Sequence, residues 1–305
     1  MKISNPWDAD WEVSEPLART LIFRQFAQLS TMPIELIGTG WDNVVFRVGD
    51  EYVFRFPRRH VSVELMKKEG KLLPQLAEFM TLPYPKPLFY GEPSSDYPFP
   101  FLGYTYVPGM FPIDLHAEKR ALSAAALATF LKRLHAFPLH IARENGIEYD
   151  HRNLIDIAAR KEKMQTFLST LALHISEEDR IAIEKYLEQI VIACVKPKEV
   201  LLHGDLHFKN MLVDETGRVS GIIDWGDINI GHPGSDLNVA YSFLPPQARQ
   251  PFFQAYGDVD EETHLLARMM AVYIPMLLWL QAIDNKDAEL AEEARMTIRR
   301  ALTDE

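Results

Sequence analysis

Cysteine is almost missing from this chain, which has Cys194 as its only thiol in 305 residues. One thiol cannot form an internal disulfide, so the sequence excludes a disulfide-stabilised secreted scaffold and fits a reducing compartment. Cys194 lies in the apolar run IVIACV. That setting predicts a buried packing role for the thiol rather than a reactive one.

Long apolar runs are missing as well. The first residues, MKISNPWDADWE, contain no apolar segment of the kind that secretory signals carry. The longest uncharged apolar run covers residues 269–280 and is interrupted by Pro275, which makes it too short to cross a bilayer. We therefore expect a cytoplasmic protein without a membrane partner, in which this run is part of a buried helix.

Positive charge is in deficit, with 32 Lys and Arg residues against 43 Asp and Glu and a net charge of -11. Residues 1–110 hold 11 basic and 13 acidic residues, so the rest of the chain holds 21 and 30 and carries a net charge of -9. A nucleic-acid partner needs a basic surface, so we expect none. The acidic part would suit a cationic small molecule, but charge alone fits a well-hydrated surface better.

What the chain does contain is enough apolar material, 47% of its residues, for one large or two medium domains. Apolar alternation predicts three short strands between Ile34 and Phe56 and a further strand over 101–107, with a helix over 61–79 between them. Helical patterns dominate afterwards. We expect an α+β protein with a small sheet-rich N-terminal lobe, residues 1–107, and a large, mainly helical C-terminal lobe, residues 108–305.

The stretch 200–236 carries the clearest chemical signal. A short apolar strand leads into His203-Gly204-Asp205, and Asn210 follows five residues after the aspartate. Two short strands around the turn DETG then bring the chain back to Asp224. Phosphoryl transfer needs a carboxylate to orient the attacking hydroxyl and hard oxygen ligands for Mg2+, which this arrangement suits. The spacing H-x-D-x-x-x-x-N resembles the catalytic and metal loops of protein kinases.

The N-terminal part has the elements that kinases use for the nucleotide. The segment GTGWDN, with Gly40, is a glycine-containing hairpin where a phosphate-covering loop would lie. Arg55 follows on the third strand, where kinases have a lysine, and strand alternation favours it over the neighbouring Arg58 and Arg59. Its expected partner on the next helix is Glu69.

Several site assignments leave alternatives open. Glu64 is a second candidate for the partner of Arg55. The strand that ends the first lobe corresponds to the kinase hinge, where Thr105 and Val107 are expected to meet the nucleobase if Tyr104 is the gatekeeper. Each of these positions also fits a purely structural role.

Three further residues of the catalytic stretch have mainly structural interpretations. His203 is expected to hydrogen-bond the loop rather than act as a base, because Asp205 already supplies one. Asp236 is expected to cap the helix that follows it. His207 is a weak candidate for a substrate contact.

Taken together, the phrases YVFRFPRR, PFLGYTYVPG, HGDLHFKN and GIIDWGD resemble the aminoglycoside phosphotransferase family over about Ile34 to Tyr256. The phrases look most like the 2″-aminoglycoside phosphotransferases, and RFPRR is also similar to macrolide phosphotransferases. The resemblance implies a protein-kinase-like fold with a hinge strand. It further implies Asp205 as catalytic base, Asn210 and Asp224 as Mg2+ ligands, and Arg55 with Glu69 at the phosphates. This chain departs from the pattern at Arg55 and at the dipeptide His232-Pro233.

The expected function is therefore transfer of a phosphoryl group from ATP or GTP to a hydroxyl of a small, cationic molecule, most simply an aminoglycoside antibiotic. A macrolide phosphotransferase and a metabolic choline or homoserine kinase are the enzymatic alternatives. A catalytically silent nucleotide-binding scaffold is the alternative from another class. No obligate protein partner is evident from the sequence.

Overall fold

The structure is a computed structural model, which describes residues 10–40 and 42–304. The chain forms two compact units. Unit 1 contains the described residues up to Glu78, together with Pro83–Pro108 and Trp225–Asp227. Unit 2 contains Phe79–Leu82, Gly109–Asp224 and the described residues from Ile228 onward.

Unit 1 combines one sheet with two helices. The Ser14 side chain accepts a hydrogen bond from Leu17 N–H and caps the first helix. In chain order the elements are α1 (Glu15–Gln25), β1 (Ile34–Thr39), β2 (Asn43–Val48), β3 (Tyr52–Pro57), α2 (His60–Leu72), β4 (Pro87–Gly91) and β5 (Phe101–Thr105).

The five strands form one antiparallel sheet in the order β1-β2-β3-β5-β4, so β3 is its central strand. Phe54, Phe56 and Phe101 are fully buried in a core that also contains Leu21 of α1. The rings of Phe56 and Phe101 stack with their centroids 4.5 Å apart. Because side chains alternate along a strand, this core fixes β3 with Arg55 on the opposite face.

The helix after β3 ends earlier than the sequence predicts. A 3-10 turn, Leu73–Leu76, replaces the expected continuation to residue 79, because Pro74 has no N–H for the helical ladder. Gly70 lies inside α2. A Cβ at Gly70 would come within 2.8 Å of the Leu102 side chain, so glycine here permits close packing of α2 on β5.

Unit 2 is mainly helical, which confirms the predicted α+β class. Its helices are α3 (Ala117–Ala121), α4 (Ala124–His135), α5 (Leu139–Glu144), α6 (Ile157–Thr170), α7 (Glu177–Gln189), α8 (Val239–Ser242), α9 (Pro246–Tyr256), α10 (Glu261–Asn285) and α11 (Ala288–Leu302). Its strands are β6 (Val200–Leu202), β7 (Met211–Val213), β8 (Val219–Ile222) and β9 (Asn229–Gly231). They pair as β6 with β9 and β7 with β8.

The helix α10 is longer than the apolar run inside it. By length and composition alone this one described helix could cross a membrane. However, 61% of its most apolar 18-residue window is buried within the protein, and Pro275 lies inside the helix. Its packing is therefore that of a core helix, and α11 is its main neighbour.

The expectation of a buried Cys194 is wrong, because its side chain is exposed. α7 ends at Gln189, so the apolar run IVIACV lies in the following loop rather than on a helix face. In that loop Ile190 and Val195 are buried and anchor the segment, while the residues between them face outward to varying degrees.

Candidate active site

The catalytic segment of unit 2 begins where β6 ends. β6 pairs with β9, which fixes Leu202 opposite Asn229. Gly204 then adopts a φ of +86°, a conformation that glycine reaches without steric cost. This turn leads to Asp205 and on to the 3-10 turn Phe208–Asn210.

Asp205 carries a carboxylate that stays ionised over the physiological range. Its side chain is 35% exposed, and its Oδ2 lies 3.3 Å from Nε2 of His207. Burial alone would raise the pKa of Asp205, but the neighbouring His207, which is hydrogen-bonded to the carboxylate, lowers this pKa to about 2, and His203 and Arg152 act in the same direction. Such a carboxylate is a weak base that accepts a hydrogen bond from an attacking hydroxyl and takes its proton late, as a loose transition state permits.

Asn210 is tied to Asp205 through its amide nitrogen. Nδ2 donates to the main-chain carbonyl of Asp205 at 2.8 Å and to the carboxylate Oδ2 at 3.1 Å. The Asn210 side chain is buried, so these two bonds determine how the amide is oriented. Its carbonyl oxygen Oδ1 therefore points away from Asp205, and an oxygen of this kind is a ligand that a hard cation prefers.

Asp224 is linked to the same loop through the main chain. The N–H of Ile223, the residue before it, donates to the carbonyl of Asn210 at 2.9 Å. Asp224 itself has a φ of 61°, a left-handed conformation that costs an L-residue about 1–2 kcal/mol and that aspartate and asparagine tolerate better than most. Residues held in such conformations are concentrated at functional sites.

The side chains of Asn210 and Asp224 carry the kinds of oxygen donor that suit a magnesium ion. Within residues 10–40 and 42–304, no three His, Cys, Asp or Glu side chains are grouped closely enough to hold a metal by themselves. Mg2+ is usually bound by one or two protein oxygens together with water and the phosphates of its nucleotide. One amide oxygen and one carboxylate are the donor set of a metal that binds with a nucleotide.

Asp236 holds the main chain at the start of the catalytic loop, residues 203–210. Its fully buried carboxylate accepts hydrogen bonds from the N–H groups of His203 at 2.7 Å and Gly204 at 3.1 Å. The predicted capping role of Asp236 is wrong, because the residue lies inside the 3-10 turn Pro233–Asn238 and its carboxylate is used by the loop. A single acid among small and apolar residues, in GHPGSDLNVAYSF, was the available signal for such a buried anchor.

The structural role predicted for His203 is confirmed. Its ring is buried, with Nε2 3.0 Å from the carbonyl oxygen of Ile223 and Nδ1 3.3 Å from the N–H of Asp205. The N–H of Asp205 needs an acceptor, so Nδ1 is unprotonated and Nε2 donates. His203 thereby connects the segment before Asp224 to the segment that carries Asp205.

In unit 1 the expected pair between Arg55 and Glu69 is present. Arg55 Nη1 lies 3.0 Å and 3.1 Å from the two carboxylate oxygens of Glu69. The Glu69 side chain is 1% exposed and that of Arg55 is 15% exposed, so the pair is largely shielded from water. Glu64, the alternative, is exposed and pairs with Lys67. The ion pair is thus confirmed, whereas its contact with a nucleotide stays a prediction.

The neighbouring arginines brace the glycine loop. Arg58 Nη1 donates to the carbonyl of Gly40 at 2.9 Å, and Arg59 Nη1 donates to the Asp42 carboxylate at 3.0 Å. The N–H of Gly40 is also used inside the loop. Both arginines that follow β3 are therefore bonded to the glycine loop itself. A phosphate contact by Gly40 stays a prediction.

The hinge strand is shorter than the sequence predicts, because β5 ends at Thr105. The N–H of Thr105 donates to the carbonyl of Lys86, and its hydroxyl accepts from the N–H of Lys86, both at 3.0 Å. The main-chain N–H of Thr105 is therefore already used within the sheet. Val107 is buried and lies beyond the strand. Both nucleobase contacts stay predictions.

Comparison with known proteins identifies related enzymes. A family model described as the phosphotransferase enzyme family matches residues 33–271, which include the Arg55–Glu69 pair and the whole catalytic loop. An aminoglycoside 3′-phosphotransferase from Escherichia coli is 25% identical over 75% of this chain and 87% of its own length.

Solved structures show the same fold. The GDP and kanamycin complex of an aminoglycoside 2″-phosphotransferase superposes with a TM-score of 0.66 at 24% identity, covering 93% of this chain and 97% of the other. A macrolide 2′-phosphotransferase from Brachybacterium faecium superposes with a TM-score of 0.55 at 23% identity, covering 88% and 92%. Because the family model spans most of this chain and includes its catalytic loop, the protein belongs to the phosphotransferase enzyme family and is a nucleoside-triphosphate-dependent small-molecule kinase with a protein-kinase-like fold.

Proposed function

We propose that the protein transfers the γ-phosphate of ATP or GTP to a hydroxyl group of an aminoglycoside. The observation that supports the transfer step is the continuous bonding among the three motif residues. The ionised Asp205 carboxylate accepts a hydrogen bond from the side-chain amide of Asn210. The main-chain carbonyl of Asn210 accepts a hydrogen bond from the N–H of Ile223, the residue before Asp224. A catalytically silent scaffold would not need a base and two metal ligands held together in this way.

In the proposed reaction the acceptor hydroxyl donates a hydrogen bond to Asp205. The proton passes to this carboxylate as the new O–P bond forms and the bond to the departing nucleoside diphosphate breaks. Asn210 Oδ1 and Asp224 would hold Mg2+, which neutralises phosphate charge when bound. Arg55, oriented by Glu69, would contact phosphate oxygens through its planar guanidinium. A triphosphate donor also keeps the cytoplasm as the proposed compartment.

The choice of an aminoglycoside as the acceptor rests on the charge of this chain and on its resemblance to known phosphotransferases. Residues 111–305 carry a net charge of -9, and they include the catalytic loop. A multiply protonated amino sugar would be attracted by this field and held by charge-assisted hydrogen bonds. The relatives with aminoglycoside names and the 2″-type sequence phrases support the same choice.

We expect kanamycin- or gentamicin-type aminoglycosides to be phosphorylated with a KM that rises with added salt, because salt screens the attraction between exposed charges. Steady-state assays should compare them with erythromycin and choline over a range of salt concentrations. A KM that does not change with salt would contradict the electrostatic argument. Phosphorylation of erythromycin or choline alone would contradict the aminoglycoside assignment and leave the kinase activity in place.

A macrolide is the second candidate acceptor. The phrase RFPRR is similar to macrolide phosphotransferases, and a solved macrolide 2′-phosphotransferase shares the fold of this chain. Phosphorylation of erythromycin in the same assays tests this alternative.

We expect GTP to be used at least as well as ATP. Tyr104 is buried at the end of β5, next to Thr105, where its bulk would crowd the exocyclic amine of adenine, whereas guanine has a carbonyl there. The kanamycin-bound relative contains GDP. Tyr104→Leu should raise kcat/KM for ATP relative to GTP, and Tyr106→Leu is the control because its ring lies outside the strand, over Arg47. A strong ATP preference in the unmodified protein would contradict the steric argument.

A further inference from the structure

We propose that Arg152 positions Asp205 for phosphoryl transfer by holding the peptide group that joins Gly204 to Asp205. The inference rests on the proposed role of Asp205 as the base. Arg152 lies 52 positions before Gly204, outside every motif of the catalytic stretch. It lies in the loop before α6.

The peptide group between Gly204 and Asp205 is held at both of its polar ends. Arg152 Nη2 donates to its oxygen, the Gly204 carbonyl, at 3.0 Å. Its nitrogen, the N–H of Asp205, donates to His203 Nδ1 at 3.3 Å. Because the carboxylate extends from the Cα of Asp205, a tilt of this peptide would swing the carboxylate away from an acceptor. Gly204 provides little resistance to such a tilt, since glycine has the widest backbone freedom.

Arg152 is itself fixed to the frame of the site. Its Nε donates to Asp150 Oδ1 at 2.7 Å, and its own N–H donates to the same oxygen at 3.1 Å. The N–H of Asp150 in turn donates to the carbonyl of Ile230 in β9 at 2.8 Å. β9 pairs with β6, the strand that leads into the catalytic loop. The guanidinium of Arg152 is therefore anchored to the β6–β9 sheet, the same sheet from which the loop with Asp205 begins.

The chemistry of arginine suits this position better than that of lysine. A planar guanidinium can donate to Asp150 and to the Gly204 carbonyl at once, in a fixed geometry, whereas an ammonium group is a point donor on a flexible stem. Arg160 also donates to the main-chain carbonyl of Arg152, which restrains the backbone that carries the guanidinium.

The variant Arg152→Gln tests the inference directly. It should lower kcat by roughly 10–100-fold, because small displacements of a reacting group have effects of this size, while the KM for the nucleotide and the melting temperature change little. Arg152→Lys should recover part of the loss. The matched control is Arg143→Gln, which removes an exposed arginine paired with Glu199 and should leave kcat unchanged.

Amide hydrogen exchange gives a readout that does not need a substrate. In Arg152→Gln the segment 203–206 should exchange faster than in the wild type and in Arg143→Gln. Wild-type protein that phosphorylates no acceptor would contradict the proposed function, while the exchange comparison would still decide whether Arg152 holds the loop.

Three results would overturn the inference. The first is a kcat of Arg152→Gln equal to that of Arg143→Gln, and the second is an unchanged amide exchange rate at residues 203–206. The third is a parallel loss of kcat, nucleotide affinity and melting temperature in Arg152→Gln, which would indicate a merely structural role. If Arg152→Gln does not fold, Asp150→Asn and Arg152→Lys take its place in the test. Each of them keeps a positive charge at position 152 and weakens a hydrogen bond of that side chain. Unchanged kcat in both would then overturn the inference.

Discussion

Asp205→Ala is expected to lower kcat by roughly 10²–10⁴-fold, the usual contribution of a general base. Nucleotide binding should persist in this variant, because the amide of Asn210 also donates to the main-chain carbonyl of Asp205 at 2.8 Å. That bond does not depend on the side chain at position 205. The predicted metal ligand therefore stays oriented when the base is removed.

Single-turnover assays and nucleotide titrations in the presence of Mg2+ separate the two effects. Glu215→Ala is the matched control, since it removes an exposed acid from the β7–β8 turn of the same segment. Its kcat should equal that of the wild type. If Asp205→Ala also retains most of the wild-type kcat, Asp205 is not the base.

The pH dependence of the wild type provides a second check on Asp205. Its pKa is depressed to about 2 in the folded protein, so the active, ionised form is present above that value and is lost only as the pH falls towards it. Protonation of Asp205 should therefore produce no acidic limb in kcat/KM down to about pH 4. A limb with a midpoint near pH 6 that vanishes in Asp205→Asn would show that the carboxylate is far more basic than the structure implies.

The arrangement of Asp205, Asn210 and Asp224 could be predicted from the sequence because their contacts are local. Asp205 and Asn210 are five positions apart and bond directly, and one short hairpin returns the chain to Asp224. The roles of Asp236 and Arg152 could not be predicted in the same way. Their bonds to Gly204 span 32 and 52 positions, and they depend on how the loop packs rather than on a spacing.

The pair in unit 1 was also predictable, for a different reason. Side chains alternate along a strand, so Arg55 lies on the face of β3 opposite to the one that carries Phe54 and Phe56. Burial of the two rings therefore determines the side of the sheet to which the arginine points. Composition predicted the burial of side chains less well near the end of a helix. The apolar residues around Cys194 continue past the end of α7, and their burial could not be inferred without knowing where that helix stops.

Asp224→Asn is expected to abolish most of the gain in nucleotide affinity that Mg2+ provides. Asparagine adopts the left-handed conformation of position 224 nearly as readily as aspartate, so the substitution removes a charged metal ligand and keeps the turn. Loss of groups that merely support a metal ligand costs roughly 10–100-fold in metal affinity, and loss of a ligand should cost at least about as much. Calorimetric titration of nucleotide with Mg2+ and with EDTA measures the difference.

Asp224→Gly separates the metal from the backbone. Glycine also accepts the φ of 61° freely, so its melting temperature should stay close to that of the wild type while its Mg2+ response disappears. Alanine has neither advantage and should be less stable by about 1–2 kcal/mol, which makes it the wrong variant for this question. Glu215→Gln removes an exposed charge from the same segment and should keep the full Mg2+ response. If the asparagine and glycine variants respond to Mg2+ as this control does, Asp224 does not bind the metal, and the carboxylate at that position must act only on the shape of the loop.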